Sequence, residues 1–407
     1  MKNVIVGQSG GPTAVINSSV AGVYLAAKEI GSEHIYGMVH GIEGFLKGEY
    51  IDLKEVLDEE KVEILKRTPS AYLGSCRYKL PKFADAKEVY EKIFEKLNEL
   101  DIEYFFYIGG NDSMDTIKML SDYAKENNKT QKFVGIPKTI DNDLPITDHC
   151  PGYGSAAKYI ATSIKEIIRD NASFGVEKPT VCIVEIMGRH AGWLTAAASL
   201  AKGDDCEGVD AIYLPEDTFD LDEFKNRVKK LAEEKSSVVI AVSEGITTKD
   251  EKFVCELGAS EKAVDAFGHK QLSGCAKTLA DIIHDETGLK TRAIEFSTLQ
   301  RAATHIASLT DIEEAVKVGY EAVMAADRGI SGEMVVMLRD ESNDYKINYS
   351  LYDIHDIANV ENKIPENMID KENKTLTNDY INYAKPLIMG ELQPIYKDGL
   401  PVHLIRK

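Results

Sequence analysis

The chain has 407 residues, of which 43% are hydrophobic and 28% charged, and its formal net charge at pH 7 is −19. This length is sufficient for two domains with full cores, and the composition is typical of a soluble globular protein. The acidic balance disfavours binding to nucleic acid or to an anionic membrane, because both need clustered Lys and Arg.

The hydropathy and cysteine patterns indicate where the protein works. No apolar run approaches the roughly 18 residues of a membrane span, and no basic leader precedes an apolar stretch at the N-terminus, so we expect neither membrane insertion nor secretion. The six cysteines are scattered without a CxxC pair, which is typical of reduced thiols in a cytoplasmic protein. The histidines show no HExxH spacing, and a zinc site is therefore not expected.

Short apolar runs alternate with helical patterns along much of the chain. The runs are NVIVG (3–7), YFFYIGG (104–110), TVCIVEIMG (180–188) and SSVVIAVSEG (236–245). Such alternation predicts an α/β fold of parallel strands joined by crossover helices. The charged stretch 51–66 is interpreted as one solvated amphipathic helix.

Ligands of open parallel sheets bind beyond the carboxyl ends of the strands. The residues at these positions carry glycine, acid and base: Gly10–Gly11, Asn111–Asp112, Lys138–Asp143, Met187–Arg189 and Glu244. This distribution indicates an enzyme.

The first of these segments is SGGPT (9–13), which we call the glycine loop. Two glycines allow a close approach of the backbone to a phosphate, and a helix beginning there would add partial positive charge. A tight strand-to-helix turn is the alternative. The loop matches neither the GxxxxGK[ST] nor the GxGxxG nucleotide motif.

The second segment is GGNDSMD (109–115). Asn111 and Asp112 offer oxygen ligands to a hard cation such as Mg²⁺. The same side chains are also typical of helix caps, so the pattern leaves both interpretations open.

The third segment, PKTIDNDLP (137–145), contains what we call the acidic loop, residues 138–143. Asp141 and Asp143 could divide two tasks, one accepting a proton and the other holding a metal, while Lys138 supplies a point charge for a phosphoryl oxygen. A solvated structural turn would gain nothing from this combination, and the functional interpretation is favoured.

Arginines mark two later segments. Arg189 follows a strand in EIMGRHAGW (185–193), where an anion could bind. Arg292 and Arg301 flank an apolar run in TRAIEFSTLQR (291–301), and they are either solvated or form a phosphate clamp.

Taken in order, the motifs SGGPTAVIN, LGSCRY, GGNDS, GIPKTIDND, EIMGRHAGW, SEGI and TRAIEFSTLQRAATHIAS resemble the phosphofructokinase family, and its pyrophosphate-dependent branch most closely. The resemblance covers residues 3 to about 330. It implies two doubly wound α/β domains with mainly parallel sheets and an active site in the cleft between them. Residues 1–150 would bind the phosphoryl donor and Mg²⁺, residues 151–330 the sugar phosphate, and residues 331–407 would form an extension packing on both, with the chain crossing back between domains.

The implied reaction is reversible, Mg²⁺-assisted transfer of a phosphoryl group from pyrophosphate to the C1 hydroxyl of fructose 6-phosphate, a step of glycolysis. Asp141 resembles the general base, and Asn111 and Asp143 the metal residues. Arg292 would reach the site of a neighbouring subunit, which implies a homodimer or homotetramer. The remaining implied roles are Lys138, Asp112 and Arg77 in catalysis; Gly10, Gly11 and Ser113 for pyrophosphate; and Thr139, Ile140, Asp141, Met187, Gly188, Arg189, Glu244, Thr298 and Arg301, with Arg292, for the sugar phosphate.

The choice of donor rests on two positions where ATP-using members of the family have glycine. Asp112 would add negative charge in a partly desolvated cleft where a nucleotide phosphate would lie, and Lys138 would stabilise a departing inorganic phosphate. Two alternatives are an ATP-dependent 6-phosphofructokinase and a catalytically silent sugar-phosphate-binding subunit. The latter is motivated by Asn111, because most relatives have aspartate there.

Overall fold

The computed structural model describes residues 2–174, 178–257, 274–340 and 344–406. Among these residues the strands form two larger sheets and two short hairpins, and the predicted α/β architecture is confirmed. The strands are β1 (Asn3–Gln8), β2 (Ile35–Met38), β3 (Tyr50–Asp52), β4 (Ile102–Gly109), β5 (Lys132–Pro137), β6 (Thr180–Ile186), β7 (Ala211–Tyr213), β8 (Ser237–Ser243), β9 (Lys290–Glu295), β10 (Glu333–Arg339), β11 (Ile347–Asp353), β12 (Ile369–Asp370), β13 (Thr375–Leu376), β14 (Tyr396–Lys397) and β15 (Leu400–Pro401).

Helices connect most of these strands. They are α1 (Ile16–Glu29), α2 (Gly41–Lys47), α3 (Leu53–Val56), α4 (Glu59–Leu65), α5 (Lys87–Glu99), α6 (Asn111–Glu126), α7 (Tyr153–Ala172), α8 (Trp193–Ala196), α9 (Leu221–Glu234), α10 (Cys275–Thr287), α11 (Leu299–Ala302), α12 (Leu309–Asp327) and α13 (Asn378–Ala384). In the part of the chain described, no helix is both long enough and apolar enough to cross a bilayer.

The described strands of the first sheet have the order β11-β10-β5-β4-β1-β2-β3. Strands β10, β5, β4, β1 and β2 run parallel, and β11 and β3 pair antiparallel at the edges. The second sheet has the order β7-β8-β6-β9 and is parallel throughout its described strands. All four apolar runs of the sequence lie in these sheets, as β1, β4, β6 and β8.

Each sheet is covered on both faces. In β1, Val4 and Val6 belong to one hydrophobic cluster and Ile5 to another on the opposite face. In β6, Val184 and Val181 are divided in the same way. Burial of both faces explains why these strands read as continuous apolar runs rather than as alternating patterns.

The chain returns to the first sheet after leaving the second. Strand β10 pairs with β5, and α12 packs on α1. These helices approach through two glycines, since a Cβ on Gly22 would lie 1.9 Å from the Val316 carbonyl oxygen and one on Gly319 would lie 2.2 Å from that of Ser19. The predicted domain boundaries at residues 150 and 330 stay predictions. The segment 309–353 packs with the first sheet, whose other strands lie within residues 3–137.

The single helix predicted for residues 51–66 is wrong. The segment contains the end of β3 and two short helices, α3 and α4. The side chain of Asp52 accepts a hydrogen bond from the Lys54 amide, and that of Asp58 accepts one from the Lys61 amide. Each aspartate thereby caps the start of a separate helix. The segment is therefore not the single continuous helix that its charge pattern predicted.

A buried charged cluster joins the segment after the acidic loop to α12. The imidazole of His149 lies 2.8 Å from Asp148 Oδ2 and 2.7 Å from Glu314 Oε2. Burial opposes the charged form, but the carboxylates of Glu314 and Asp148 outweigh it and raise the pKa of His149 from 6.5 to about 9. The imidazolium therefore bridges two carboxylates from distant parts of the sequence.

This cluster predicts a loss of stability at alkaline pH. Because the pKa of His149 is raised in the folded state, its contribution is fully present below pH 6.5 and disappears as the pH rises through about 9. The free energy of unfolding should fall over this interval by up to about 3 kcal/mol, as measured by urea titration at several pH values. His149→Gln should be less stable at pH 6.5 and lack this dependence, and an equal slope in both proteins would contradict the assignment.

Candidate active site

Segments at the carboxyl ends of strands from both sheets lie close together, since the Asp141 carboxylate raises the pKa of Glu244 and both carboxylates act on Arg301. The first sheet contributes the glycine loop after β1, Asn111 after β4 and the acidic loop after β5. The second sheet contributes the segment Met187–Arg189 after β6 and Glu244 after β8. Parallel strands place their carboxyl ends at one edge of a sheet, which explains how segments more than 100 residues apart in the sequence converge.

Lys138 joins the acidic loop to the glycine loop. Its side chain is 3% exposed, and its Nζ donates a hydrogen bond to the Gly11 carbonyl oxygen at 2.7 Å. A Cβ on Gly10 would lie 3.4 Å from the same Nζ. The two glycines therefore lie beside a buried cation, as a phosphate-binding role requires.

Arg301 reaches the same point from beyond β9. A Cβ on Gly11 would lie 3.1 Å from Arg301 Nη1. Burial and the neighbouring Arg77 guanidinium lower the pKa of Arg301, and the carboxylates of Asp141 and Glu244 oppose this shift. Two arginines and a lysine thus form a local basic region in a protein of net charge −19.

The acidic loop holds its carboxylates in a compact turn. The Asp141 amide donates to Thr139 Oγ1 at 3.1 Å, and Asn142 has a φ of 57°, a left-handed conformation that asparagine tolerates better than most residues. Both carboxylates, Asp141 and Asp143, act electrostatically on Lys138.

Two groups of this loop, Asp141 and Lys138, have pKa values close to neutrality. Burial and the neighbouring Asp143 raise the pKa of Asp141 to about 7, although Lys138 and Arg301 oppose the shift. Burial also raises the pKa of Asp143. Burial lowers the pKa of Lys138 to about 8, with Asp141 and Asp143 acting in the opposite direction. At pH 7 the lysine remains mostly charged, and Asp141 is poised to accept a proton.

Glu244 faces this loop from the second sheet. Burial raises the pKa of Glu244 to about 7, and the Asp141 carboxylate adds to the shift. The Gly188 amide donates to Glu244 Oε1 at 3.4 Å. Glu244 is therefore held by the loop after β6 and interacts electrostatically with Asp141 of the first sheet.

Asn111 does not cap the helix that it begins. The N-cap of α6 is Gly110, and no side-chain hydrogen bond caps this end. The Oδ1 atom of Asn111 is buried and has no hydrogen-bond partner. The neighbouring Gly110 lies beside the acidic loop, since a Cβ on it would lie 3.7 Å from the Lys138 carbonyl oxygen. An unpaired amide oxygen in this position fits a hard cation, although no group of three His, Cys, Asp or Glu side chains among the described residues is arranged to hold a metal.

Two residues predicted to take part in catalysis are exposed. Asp112 lies in the first turn of α6 with its side chain accessible, and Arg77 is also exposed although its charge acts on Arg301. The Asp112 carboxylate is thus solvated, which screens its charge, and its repulsion of a nucleotide phosphate stays a prediction. Ser113, in contrast, is buried and packs directly against Gly109. A Cβ on Gly109 would lie 1.9 Å from the Ser113 Oγ.

The expected helix terminus at the glycine loop is also absent. Helix α1 begins at Ile16, and the Val15 amide donates to Thr13 Oγ1 at 3.2 Å in the intervening turn. The positive charge beside Gly10 and Gly11 comes from Lys138 and Arg301 rather than from the helix.

The remaining predicted residues have different surroundings. The side chain of Ile140 is 7% exposed and packs in the hydrophobic cluster of the second sheet, while Thr298 is exposed just before α11. Gly188 and Arg189 lie in the loop after β6, and the Met187 amide donates to Gln300 Oε1 at 3.4 Å. Arg292 lies on β9, an edge strand among those described, where it pairs with Asp170 at 3.0 Å.

Sequence reasoning missed three residues near these loops. Gln300 is 1% exposed and connects the segment before Arg301 to Met187. The charge of Glu361 raises the pKa of both Asp141 and Asp143, although burial and other nearby groups have larger effects. Tyr383 accepts a hydrogen bond from Asn142 at 2.7 Å. Only Gln300 was adjacent to a predicted residue, and the other two lie in a segment without a recognisable motif.

A buried lysine, an aspartate of raised pKa and a nearby arginine beside a glycine loop are the features expected of a phosphoryl-transfer site in a two-sheet α/β fold. The sequence matches the phosphofructokinase family over residues 3–326, and the chain belongs to that family.

Individual relatives cover nearly the whole chain. It is 40% identical over 404 residues to the pyrophosphate--fructose 6-phosphate 1-phosphotransferase of Methylococcus capsulatus, covering 98% of this chain and 94% of the relative. It is also 40% identical over 406 residues to the enzyme of the same name from Xanthomonas campestris, covering 100% of this chain and 96% of the relative. The crystal structure of a pyrophosphate-dependent phosphofructokinase from Nitrosospira multiformis is similar with a TM-score of 0.89 and 38% identity, covering 99% of this chain and 96% of the other.

Proposed function

We propose that the protein transfers a phosphoryl group reversibly between pyrophosphate and the C1 hydroxyl of fructose 6-phosphate, giving fructose 1,6-bisphosphate and phosphate in glycolysis. The arrangement that carries this proposal is the buried Lys138 between the glycine loop and the Asp141 carboxylate. The names of relatives covering nearly the whole chain support the choice of substrates.

Asp141 acts as the general base in this proposal. The attacking C1 hydroxyl must lose its proton as the new P–O bond forms, and a base with a pKa near 7 accepts a proton efficiently at neutral pH. Glu244 and the loop Met187–Arg189 face Asp141 from the second sheet, where the sugar phosphate would be oriented. Transfer would then occur across the cleft.

Lys138, Arg301 and Arg77 neutralise the phosphate groups. Phosphoryl transfer is catalysed mainly by positioning and by preorganised positive charge. Lys138 is fixed by its hydrogen bond to Gly11, so it need not reorient during the reaction. In pyrophosphate the leaving group is an inorganic phosphate, and a fixed cation stabilises its developing charge.

The cofactor in this proposal is Mg²⁺. Asn111, through its unpaired Oδ1, and Asp143 would hold it, in keeping with the preference of this cation for oxygen ligands. When bound, the cation supplies Lewis-acid neutralisation of phosphoryl oxygens. We also propose a cytoplasmic location, which is supported by six free and buried cysteines.

A comparison of phosphoryl donors tests the proposed function. The purified protein should convert fructose 6-phosphate with pyrophosphate at a kcat/KM at least about 100-fold above that with ATP, and it should run the reverse reaction with phosphate. A higher kcat/KM with ATP would favour an ATP-dependent kinase. Calorimetric binding of fructose 6-phosphate without transfer from either donor would favour a silent binding subunit.

We further propose a homo-oligomer in which Arg292 completes the site of a neighbouring subunit. Arg292 lies on β9, at the edge of the sheet formed by the described strands, and Phe174 and Leu299 near it are 40% and 60% exposed. Such an exposed apolar surface around an arginine is typical of an interface.

Subunit complementation would test the sharing of the site. Asp141→Asn and Arg292→Ala subunits are each expected to be nearly inactive alone. After mixing and reassembly, random dimers should recover about a quarter of wild-type activity, because half are mixed and each mixed dimer has one intact site. Assays before and after mixing measure the gain, and its absence in a reassembled mixture would show that Arg292 does not act between subunits.

A further inference from the structure

The acidic loop is held by a residue from the C-terminal part of the chain. Asn142 lies between Asp141 and Asp143, is 1% exposed, and uses both ends of its amide. Its Oδ1 accepts from the Cys150 amide at 2.9 Å, and its Nδ2 donates to Tyr383 Oη at 2.7 Å. The asparagine thereby connects the loop to α13.

The hydroxyl of Tyr383 both accepts and donates a hydrogen bond. It accepts from Asn142 and donates to the Asp148 carbonyl oxygen at 2.9 Å. A single hydroxyl therefore spans the two ends of the segment 142–148. Losing it would leave a buried amide group of Asn142 without its partner, which favours rearrangement of the loop.

The ring of Tyr383 is held independently of its hydroxyl. Its centroid lies 5.2 Å from that of Trp193 and 4.9 Å from the Arg339 guanidinium, and Arg339 also donates to the Tyr383 carbonyl oxygen at 3.0 Å. Removing the hydroxyl alone should leave the ring in place. The effect of Tyr383→Phe can thus be assigned to the hydrogen bonds.

We propose that Tyr383 is a positioning residue that acts through Asn142 to hold the Asp141 carboxylate in place for proton transfer. This inference rests on the proposed function and goes beyond it, because it gives a segment outside the recognisable motifs a role in the reaction. Tyr383 does not touch the reacting atoms in this scheme. It fixes the left-handed turn on which the orientation of Asp141 depends.

Tyr380 provides a matched control in the same helix. Its hydroxyl lies 2.8 Å from that of Tyr153 and donates to the Trp193 carbonyl oxygen at 3.1 Å. Tyr380→Phe therefore also removes a buried hydroxyl with two partners, but none of its partners belongs to the acidic loop. A purely structural role of Tyr383 would make the two variants alike.

Kinetics, stability and hydrogen exchange together test the proposal. With the donor that the wild type uses, Tyr383→Phe should lower kcat about tenfold with little change in KM, whereas Tyr380→Phe should retain kcat. Both should lose thermal stability to a similar extent. In the background of Asn142→Gly, which tolerates the left-handed conformation, Tyr383→Phe should change kcat less than about twofold further, because the two residues act as one unit.

Hydrogen exchange separates this inference from the proposed function. Amides of residues 139–150 should exchange faster in Tyr383→Phe than in Tyr380→Phe, whether or not the protein uses pyrophosphate. Equal exchange, or equal kcat in the two variants of an active enzyme, would overturn the role of Tyr383. The wild type could instead be inactive with every donor while the predicted difference in exchange is observed. That result would count against the proposed reaction alone.

Discussion

Asp141→Asn is expected to lower kcat by about 10²–10⁴, the usual contribution of a general base, and to leave KM for both substrates nearly unchanged. The amide is close in size to the carboxylate and preserves the turn made with Thr139, because that hydrogen bond uses the Asp141 backbone amide. It cannot accept the hydroxyl proton. Steady-state kinetics with pyrophosphate measures both constants, and a loss confined to KM would remove Asp141 from the role of base.

Glu361→Gln is the matched control for this variant. Glu361 is exposed, and its charge raises the pKa of Asp141. Neutralising it should lower that pKa, so the acidic limb of kcat/KM should move to lower pH while the rate at pH 8 changes little. If Glu361→Gln lowered kcat as strongly as Asp141→Asn, the assignment of the base to Asp141 would fail.

Lys138→Met should reduce kcat/KM with pyrophosphate by about 10²–10³, the usual loss for one preorganised electrostatic contact. Methionine fills a similar volume but supplies neither the charge nor the hydrogen bond to Gly11. Because burial makes the charged lysine costly, the variant should be at least as stable as the wild type in thermal unfolding. Activity and stability should therefore change independently, and a common loss of both would indicate a structural lysine.

The pair Asp112→Gly and Lys138→Gly tests how the donor is selected. The double variant should lose use of pyrophosphate. The ratio of its kcat/KM for ATP to its kcat/KM for pyrophosphate should therefore rise at least about 100-fold, mainly because activity with pyrophosphate falls. Asp112→Gly alone should raise kcat/KM for ATP only about tenfold or less, since its exposed carboxylate is screened. Retained use of pyrophosphate in the double variant would refute the argument from these two positions.

Local patterns in the sequence were sufficient for the architecture and for most of the loops at the site. Strands β1, β4, β6 and β8 were recognisable because burial on both faces makes a strand continuously apolar. The loops that follow them were recognisable because glycine, acid and base are unusual together in a turn. The interruption of segment 51–66 was missed because Asp52 and Asp58 look like surface charges until they cap helices.

The order of the loops and the types of residue that they carry could be read from the amino-acid sequence, including Lys138, Asp141 and Arg301. The folded chain was needed to show that Lys138 is buried against Gly11, that the Asp112 side chain is exposed, and that Tyr383 hydrogen-bonds to the acidic loop from 241 residues away. Periodicity and turn chemistry act over a few residues, whereas burial, pKa and through-space contact depend on which distant segments pack together.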